Sequence, residues 1–375
     1  MKKIIVVNFF VLASIMTCLG QSEVEKLSKT YKVKNEKECQ KKGGYWYQNK
    51  CWANFLQFDE GISISEIDSE VKRQLKEIEK YGMEINGKKY IINSFFPEID
   101  ENSGEIAIIT VFTEKGKAKT LLQVGEWKKG KTKSISLQVM LFNCNLMEGE
   151  VEDEKLMSLL IANGTSEVNY NEETEEFVTK GSMSIEDKDK KMTFEIKAGE
   201  SLIGMGDTRL EIKGNEAYLN GTLGTKSYKQ FKNLIMNHPE VKTIVLQNVP
   251  GSVNDAVNMH TGRIIREAGL TTKVLVDSKI ASGGVDLFCA GKERIIIKGA
   301  QLGIHSWGGN GITADQLSKD HPAHQYQLEY FTMCLGKGKG PGFYFCTLSA
   351  APMDNIHWMS NEEIERWEIA TRFIK

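Results

Sequence analysis

Ser282 and His305, twenty-three positions apart, offer a nucleophile and a base. Ser282 stands between Ala281 and the pair Gly283-Gly284, and His305 follows the short run Leu302-Gly303-Ile304. A serine hydroxyl attacks poorly until a base takes its proton in the transition state, and a neutral imidazole suits that task near pH 7. The strand-like run Thr272–Val276 precedes the serine and an apolar helical run, Val285–Ala290, follows it. Ser282 is therefore expected at a strand-to-helix junction. Amides in a first helical turn lack intrahelical acceptors and can face an oxyanion. Gly283 and Gly284 allow a substrate to approach the backbone closely. The plainer role for Ser282 is a helix N-cap. Lys279 offers a Ser–Lys pair as an alternative, and Asp286, one turn beyond the serine, is either a perturbing carboxylate or simply a polar helix position.

The elements that must hold these residues begin near position 214. Ala217–Leu223 reads as a strand and turn, Ser227–Asn237 as a helix, Lys242–Gln247 as a strand, and Val249–Ser252 as a turn. Val253–Ala268 has helical spacing, with Gly269 as its stop signal. Strands alternating with helices predict an α/β layer on a parallel sheet over 214–375. Before it, 83–213 carries short alternating runs such as Glu105–Phe112, Ser134–Phe142 and Lys191–Ile196. These predict a mostly antiparallel β-rich domain, with one short helix over Glu154–Asn163. The segment 21–82 holds Cys39, Cys51 and a helix over Glu66–Tyr81, whose apolar residues fall at 67, 71, 75 and 78.

The Ser282 segment resembles the Clp-protease/crotonase superfamily, and within it an exported bacterial branch. Ala281-Ser282, Ala290-Gly291-Lys292-Glu293-Arg294 and Gly299-Ala300-Gln301-Leu302-Gly303-Ile304-His305 match its successive motifs without gaps. The tail Trp358-Met359-Ser360-Asn361-Glu362-Glu363 is similar to the start of its final helix. The likeness runs from about residue 214 to the end. It implies a ββα superhelix, a Ser282 nucleophile, a His305 base and oxyanion donors on two backbone amides. One of these is Gly283. The other belongs to a turn that here reads Asn248-Val249-Pro250-Gly251-Ser252-Val253, with one glycine where the family has two. An ungapped match puts Pro250, which has no N–H, at the donor position; matching proline to proline leaves Gly251 as donor, the reading adopted. The family's third member, an aspartate before the final helix, falls at Ile356 in an ungapped match. Asp354 is its nearest carboxylate and Asn355 the alternative; a Ser–His dyad without a third member stays open. Superfamily peptidases that pair serine with lysine take that lysine from a distant helix, which ranks His305 above Lys279. The resemblance also implies a homo-oligomer, a ring or trimer, as a plausible assembly.

Lys2 and Lys3, the apolar run Ile4–Met16 and the small residues of Cys18-Leu19-Gly20 have the shape of a signal peptide cut before Gln21. The run is shorter than the roughly 20 residues a membrane span needs. Lipidation at Cys18 is the lesser alternative, because Thr17 stands where a smaller residue is usual. Periplasmic or secreted localisation follows. In an oxidising compartment Cys39 and Cys51, flanking Gly43-Gly44-Tyr45-Trp46, are expected to form a disulfide closing a hairpin, similar to Cys…Gly-Gly-x-Trp…Cys modules of exported bacterial proteins. Cys334 and Cys346, also twelve apart, offer a second disulfide, and Cys144 and Cys289 read as buried thiols.

Hydrophobic content of 41%, charged content of 26% and a net charge of −2 fit a globular chain and exclude a basic nucleic-acid binder. His321 and His324 lie three apart in a polar helix expected from Asp320, but no third ligand completes a zinc site. The acidic tract Asn171–Glu176 lacks calcium-loop spacing. His260 reads as structural and His357 as exposed or packing. No metal and no cofactor are expected. The reading is an exported serine hydrolase, a peptidase acting on peptide or other acyl substrates by a Ser282–His305 dyad or triad. An ester hydrolase and a catalytically impaired Clp-like binding or scaffold protein are the alternatives.

Overall fold

A computed structural model describes residues 21–54, 61–99, 103–126, 134–146, 153–171, 173–185, 190–309 and 312–374. The segment read as a signal peptide, 1–20, lies outside these residues. The chain divides into two compact units: Glu70–Asp207 forms one, and the described part of Met16–Ser69 joins Thr208–Lys375 in the other. The division falls inside the helix Ile64–Ile78. Among the described residues no helix is long and apolar enough to cross a membrane.

The first unit is a nine-stranded antiparallel sheet. Its order is Lys88–Tyr90, Gly82–Ile85, Lys191–Gly199, Glu176–Ile185, Leu160–Asn171, Ser134–Phe142, Lys117–Glu126, Glu105–Glu114 and Ile92–Ile99. The two edge strands are separated in sequence by Ile91 alone, so the sheet must roll until its edges meet. Tyr90 accordingly packs edge-on to Phe112 at 5.5 Å and donates its hydroxyl to Glu114 at 3.3 Å. Period-2 alternation sends one face inward: Leu121 pairs with Leu141, and Leu141 with Ala162, all within one buried cluster. The helix expected over Glu154–Asn163 is a correction: it spans Asp153–Ser158, and Leu160 already begins a strand. A short apolar run such as Leu159-Leu160-Ile161-Ala162 suits either state, and pairing on both sides, to Ser134–Phe142 and Glu176–Ile185, makes it β.

The second unit carries an eight-stranded, largely parallel sheet. Arg209–Lys213, Glu216–Asn220, Thr243–Val249 and Thr271–Ala281 succeed one another across it. Thr271–Ala281 serves two neighbours in turn. Its first half, at Thr272–Val274, pairs with Arg294–Ile297, and its second, at Lys279–Ala281, pairs with Gln301–Ile304, both parallel. The helices Thr225–Asn237, Asp255–Glu267 and Gly283–Cys289 bury Phe231, Leu234, Met259, Ile265, Leu287 and Phe288 in one core with Ile244, Leu246, Val274 and Ile280. Each such side chain contributes about 1.5–3 kcal/mol relative to exposure.

The N-terminal hairpin belongs to this unit. Cys39 and Cys51 are bonded, beside a three-stranded sheet of Thr30–Tyr31, Lys50–Trp52 and Tyr45–Tyr47. Trp52 packs edge-on to His321 at 4.7 Å, the Tyr45 hydroxyl donates to Gln325 at 2.7 Å, and Lys50 pairs with Asp320. Two expectations are corrected here. The polar helix from Asp320 is instead a 3-10 turn, Pro322–His324, followed by the helix Gln325–Leu335, and both histidines are buried. His321 receives the Ala323 amide on Nδ1 and has the Leu27 carbonyl 3.2 Å from Nε2, so it is spent on packing and backbone. Cys334 and Cys346 are free thiols on the helices Gln325–Leu335 and Gly340–Ala350. Burial pushes the Cys334 thiol up to about 12. Cys289 is buried, whereas Cys144 is only half-buried.

Candidate active site

Ser282 ends the strand Thr271–Ala281 and opens the helix Gly283–Cys289 with φ 51° and ψ −127°. A positive φ costs an L-residue about 1–2 kcal/mol and persists only where the surroundings impose it. Three bonds do so. The Ser282 amide donates to the Gly303 carbonyl at 2.9 Å, and its carbonyl accepts from Val285 at 2.8 Å and Asp286 at 3.2 Å. The hydroxyl makes no capping hydrogen bond, so the N-cap role read from sequence is not the one the side chain performs.

His305 follows the strand Gln301–Ile304, and the parallel register sets Ala281 beside Gly303. Ser282 and His305 thus leave the same ends of neighbouring strands, which run about 4.8 Å apart. Burial lowers the pKa of His305 below its ordinary value; the Asp255 carboxylate and the carbonyls of Ser306 and Met353 oppose that shift. The net direction keeps the imidazole neutral at pH 7, the form a general base needs. Two residues on, Trp307 donates to the Tyr344 hydroxyl at 2.8 Å, and that hydroxyl lies 2.8 Å from His324 Nδ1.

The single-glycine turn lies against the serine. A Cβ added at Gly251, whose φ is 156°, would meet Ser282 Cβ at 3.4 Å and Oγ at 3.8 Å. Gly251 therefore lies against the serine side chain, and its carbonyl accepts from Leu223 at 2.9 Å. At Gly283 a Cβ would meet Ser252 Oγ at 2.4 Å, so only glycine lets the turn and the helix start approach so closely.

The remaining sequence candidates fall elsewhere. Asp354 and Asn355 are exposed, just before the strand His357–Trp358, and Asn355 Oδ1 accepts from its neighbour Ile356 at 2.8 Å. His305 Nδ1 is buried with no hydrogen-bond partner among the described residues. Lys279 holds its ammonium over the Trp358 ring at 5.1 Å. His260 is buried in the helix Asp255–Glu267, and half-buried His357 pairs with Glu363 at 2.9 Å. Sequence reasoning missed Ser252 and Asp255. The Ser252 hydroxyl donates to Asp255, the first residue of that helix. Asn254-Asp255 carries only a helix-start signal, since Asn254 is the N-cap, accepting from Val257 at 3.1 Å. Asp286, one turn after Ser282, is held well above the usual carboxylate range by burial and then by the Asp255 charge. No group of three or more His, Cys, Asp or Glu among the described residues is placed to hold a metal.

No family model matches the chain. No curated protein matches it either. Among solved structures it is similar to an enoyl-CoA hydratase from Bacillus anthracis, at 9% identity and TM-score 0.30 over 44% of this chain and 69% of that one. It is likewise similar to an enoyl-CoA hydratase/carnithine racemase from Magnetospirillum magneticum, at 13% identity and TM-score 0.30 over 45% and 68%. These neighbours belong to the enoyl-CoA hydratase/crotonase group, and at such scores the likeness assigns no activity.

Proposed function

We infer that the chain is a serine hydrolase of Clp/crotonase-like architecture, acting on peptides. The observation that carries this reading is Ser282 itself: a serine held at φ 51° after a strand end, with no side-chain cap bond, beside the strand that His305 follows. Ser282 Oγ attacks the substrate carbonyl carbon and His305 takes the hydroxyl proton. The amides of Gly251 and Gly283 receive the oxyanion. The tetrahedral intermediate collapses, His305 returns the proton to the leaving amine, and water repeats the sequence to release the acyl group and restore Ser282. The half-buried imidazole, whose pKa desolvation lowers, supports this assignment of the base.

Export to the periplasm or medium is part of the reading, supported by the signal-like first twenty residues and by the Cys39–Cys51 bond, which suits an oxidising compartment. A homo-oligomer is proposed from the sequence resemblance alone. Ester hydrolysis would use the same machinery.

A binding or scaffold protein with an impaired site is the second reading, and the unpartnered Nδ1 of His305 favours it. A fluorophosphonate probe separates the two. Labelling of the wild type and none of Ser282→Ala is the expected result. A folded wild-type protein that stays unlabelled would sink the hydrolase reading and leave the binding one.

A further inference from the structure

The segment expected to orient His305 brings it the Met353 carbonyl but no carboxylate, since the Asp354 side chain is exposed and Asn355 is engaged with Ile356. A carboxylate approaches from the opposite end of the sequence motif. Asp255 stands four residues after Gly251, and its Oδ1 accepts from Ser252 Oγ. That same Oγ lies against the backbone of Gly283, at 2.4 Å from where a Cβ would sit, and the preceding Gly251 lies against Ser282. Asp255 is thereby fastened to the wall of the serine site. It is the charged side chain whose interaction favours protonation of His305.

We propose that Asp255 is the positioning carboxylate of this site, facing His305 from the Ser252 turn and stabilising the imidazolium formed when Ser282 gives up its proton. The proposal rests on the serine-hydrolase reading. Asp255 acts through space, by charge, and Ser252 fixes its direction. A negative charge beside the ring favours the imidazolium over the neutral base and so lowers the barrier to proton transfer.

The groups around Asp255 are consistent with that role. Ser252, on its own turn, and His305, at the end of the neighbouring strand, both favour its ionised form. Asp286, from the helix Gly283–Cys289, is the other acid near it. Burial, and then the Asp255 charge, raise the pKa of Asp286 well above the usual carboxylate range, so ionisation of Asp286 is the more disfavoured of the two. Asp255 is exposed to solvent at the start of its helix, and desolvation by the surrounding chain raises its own pKa.

The test is the pH dependence of fluorophosphonate labelling of the full chain, for wild type, Asp255→Asn and Asp354→Asn, with His305 titrated in parallel by NMR. Removing the Asp255 charge leaves burial opposed by the Ser306 and Met353 carbonyls alone. The acid limb of Asp255→Asn therefore moves to lower pH and its plateau rate falls about tenfold or more, while Asp255→Glu recovers part of the rate. The NMR titration of His305 moves the same way, with or without activity. An Asp255→Asn profile and titration that superimpose on wild type overturn the proposal, as does a larger shift in Asp354→Asn. Absence of labelling in wild type would instead count against the hydrolase reading, and the NMR titration then still decides whether Asp255 faces His305.

Discussion

The backbone amide of Ser282 is bonded at 2.9 Å to the carbonyl of Gly303, two residues before His305. This bond extends the parallel ladder of Thr271–Ala281 and Gln301–Ile304 by one step beyond the strand. It imposes the positive φ on the serine and fixes which part of the histidine strand lies alongside. The two candidate groups are therefore positioned by backbone, and substitutions that alter the neighbouring backbone should matter more than those of surface side chains.

Gly251 provides the most direct case. Alanine there adds a Cβ 3.4 Å from Ser282 Cβ and must adopt φ 156°, where L-residues are strained. Fluorophosphonate labelling is expected to fall by up to about 10²-fold, the scale of misplacing one oxyanion donor whose N–H alanine keeps but shifts, with circular dichroism retained. Gly338→Ala, where a Cβ meets nothing within 4 Å, should label as wild type does. Equal labelling of the two variants would remove Gly251 from the site.

His324 makes stability depend on pH. It is 1% exposed, and burial followed by neighbouring His321 brings its pKa from 6.5 to about 4. Above pH 6.5 it is neutral in both folded and unfolded chains and costs nothing. As pH falls from 6.5 towards 4, the unfolded chain binds a proton that the folded one refuses, so stability declines by about 3 kcal/mol over that window. In urea titrations between pH 7.5 and 4.5, His324→Gln should lose less stability than wild type by that order. Parallel losses in both proteins would show that another group controls the window.

The Cys39–Cys51 bond closes a segment with a sequence separation of 12. Loop-closure entropy assigns such a bond about 3 kcal/mol. In the double variant Cys39→Ser/Cys51→Ser the hairpin should open more often, baring Trp52 and the His321 ring it packs on. Hydrogen exchange is expected to speed up by about 10²-fold or more in 36–52 and 318–326, and little in the strand Thr271–Ala281. Unchanged exchange at His321 would disprove the coupling.

Gly262 and Tyr330 form a tight helix contact. A Cβ at Gly262 would lie 2.0 Å from the Tyr330 hydroxyl, which donates to the Asp286 carbonyl at 2.8 Å. Gly262→Ala should cost about 1–3 kcal/mol from overpacking and Tyr330→Phe about 1 kcal/mol from the lost bond. Because the phenylalanine removes the clashing oxygen, the double variant should be more stable than the sum of the singles predicts. Strict additivity in chemical denaturation would refute a shared contact.

Much of the architecture was legible because it rests on local pattern. The alternation of strand and helix after Ala217 and the Cys39–Cys51 pair depend on residue types close in sequence, and the helix start at Ser360, whose hydroxyl caps Glu363 at 3.2 Å, comes from the resemblance of the tail. The misreadings come from places where partners decide. Leu160 became a strand because two strands flank it, and His321 and His324 turned inward because the Trp52 hairpin and Tyr344 receive them. Cys334 and Cys346 share the 12-residue spacing of the bonded pair yet sit on two separate helices as free thiols.

The sequence by itself determined the chemistry on offer: a serine among small residues at a strand-to-helix junction, and a histidine one strand later. Tertiary structure alone decided their surroundings. The approach of Gly251 to Ser282, the closeness of Ser252 to Gly283 and the exposure of Asp354 are all set by contacts between distant segments. The reason is physical: propensity and periodicity act within a few residues, whereas the partner of a buried imidazole is whatever the packed chain brings to it.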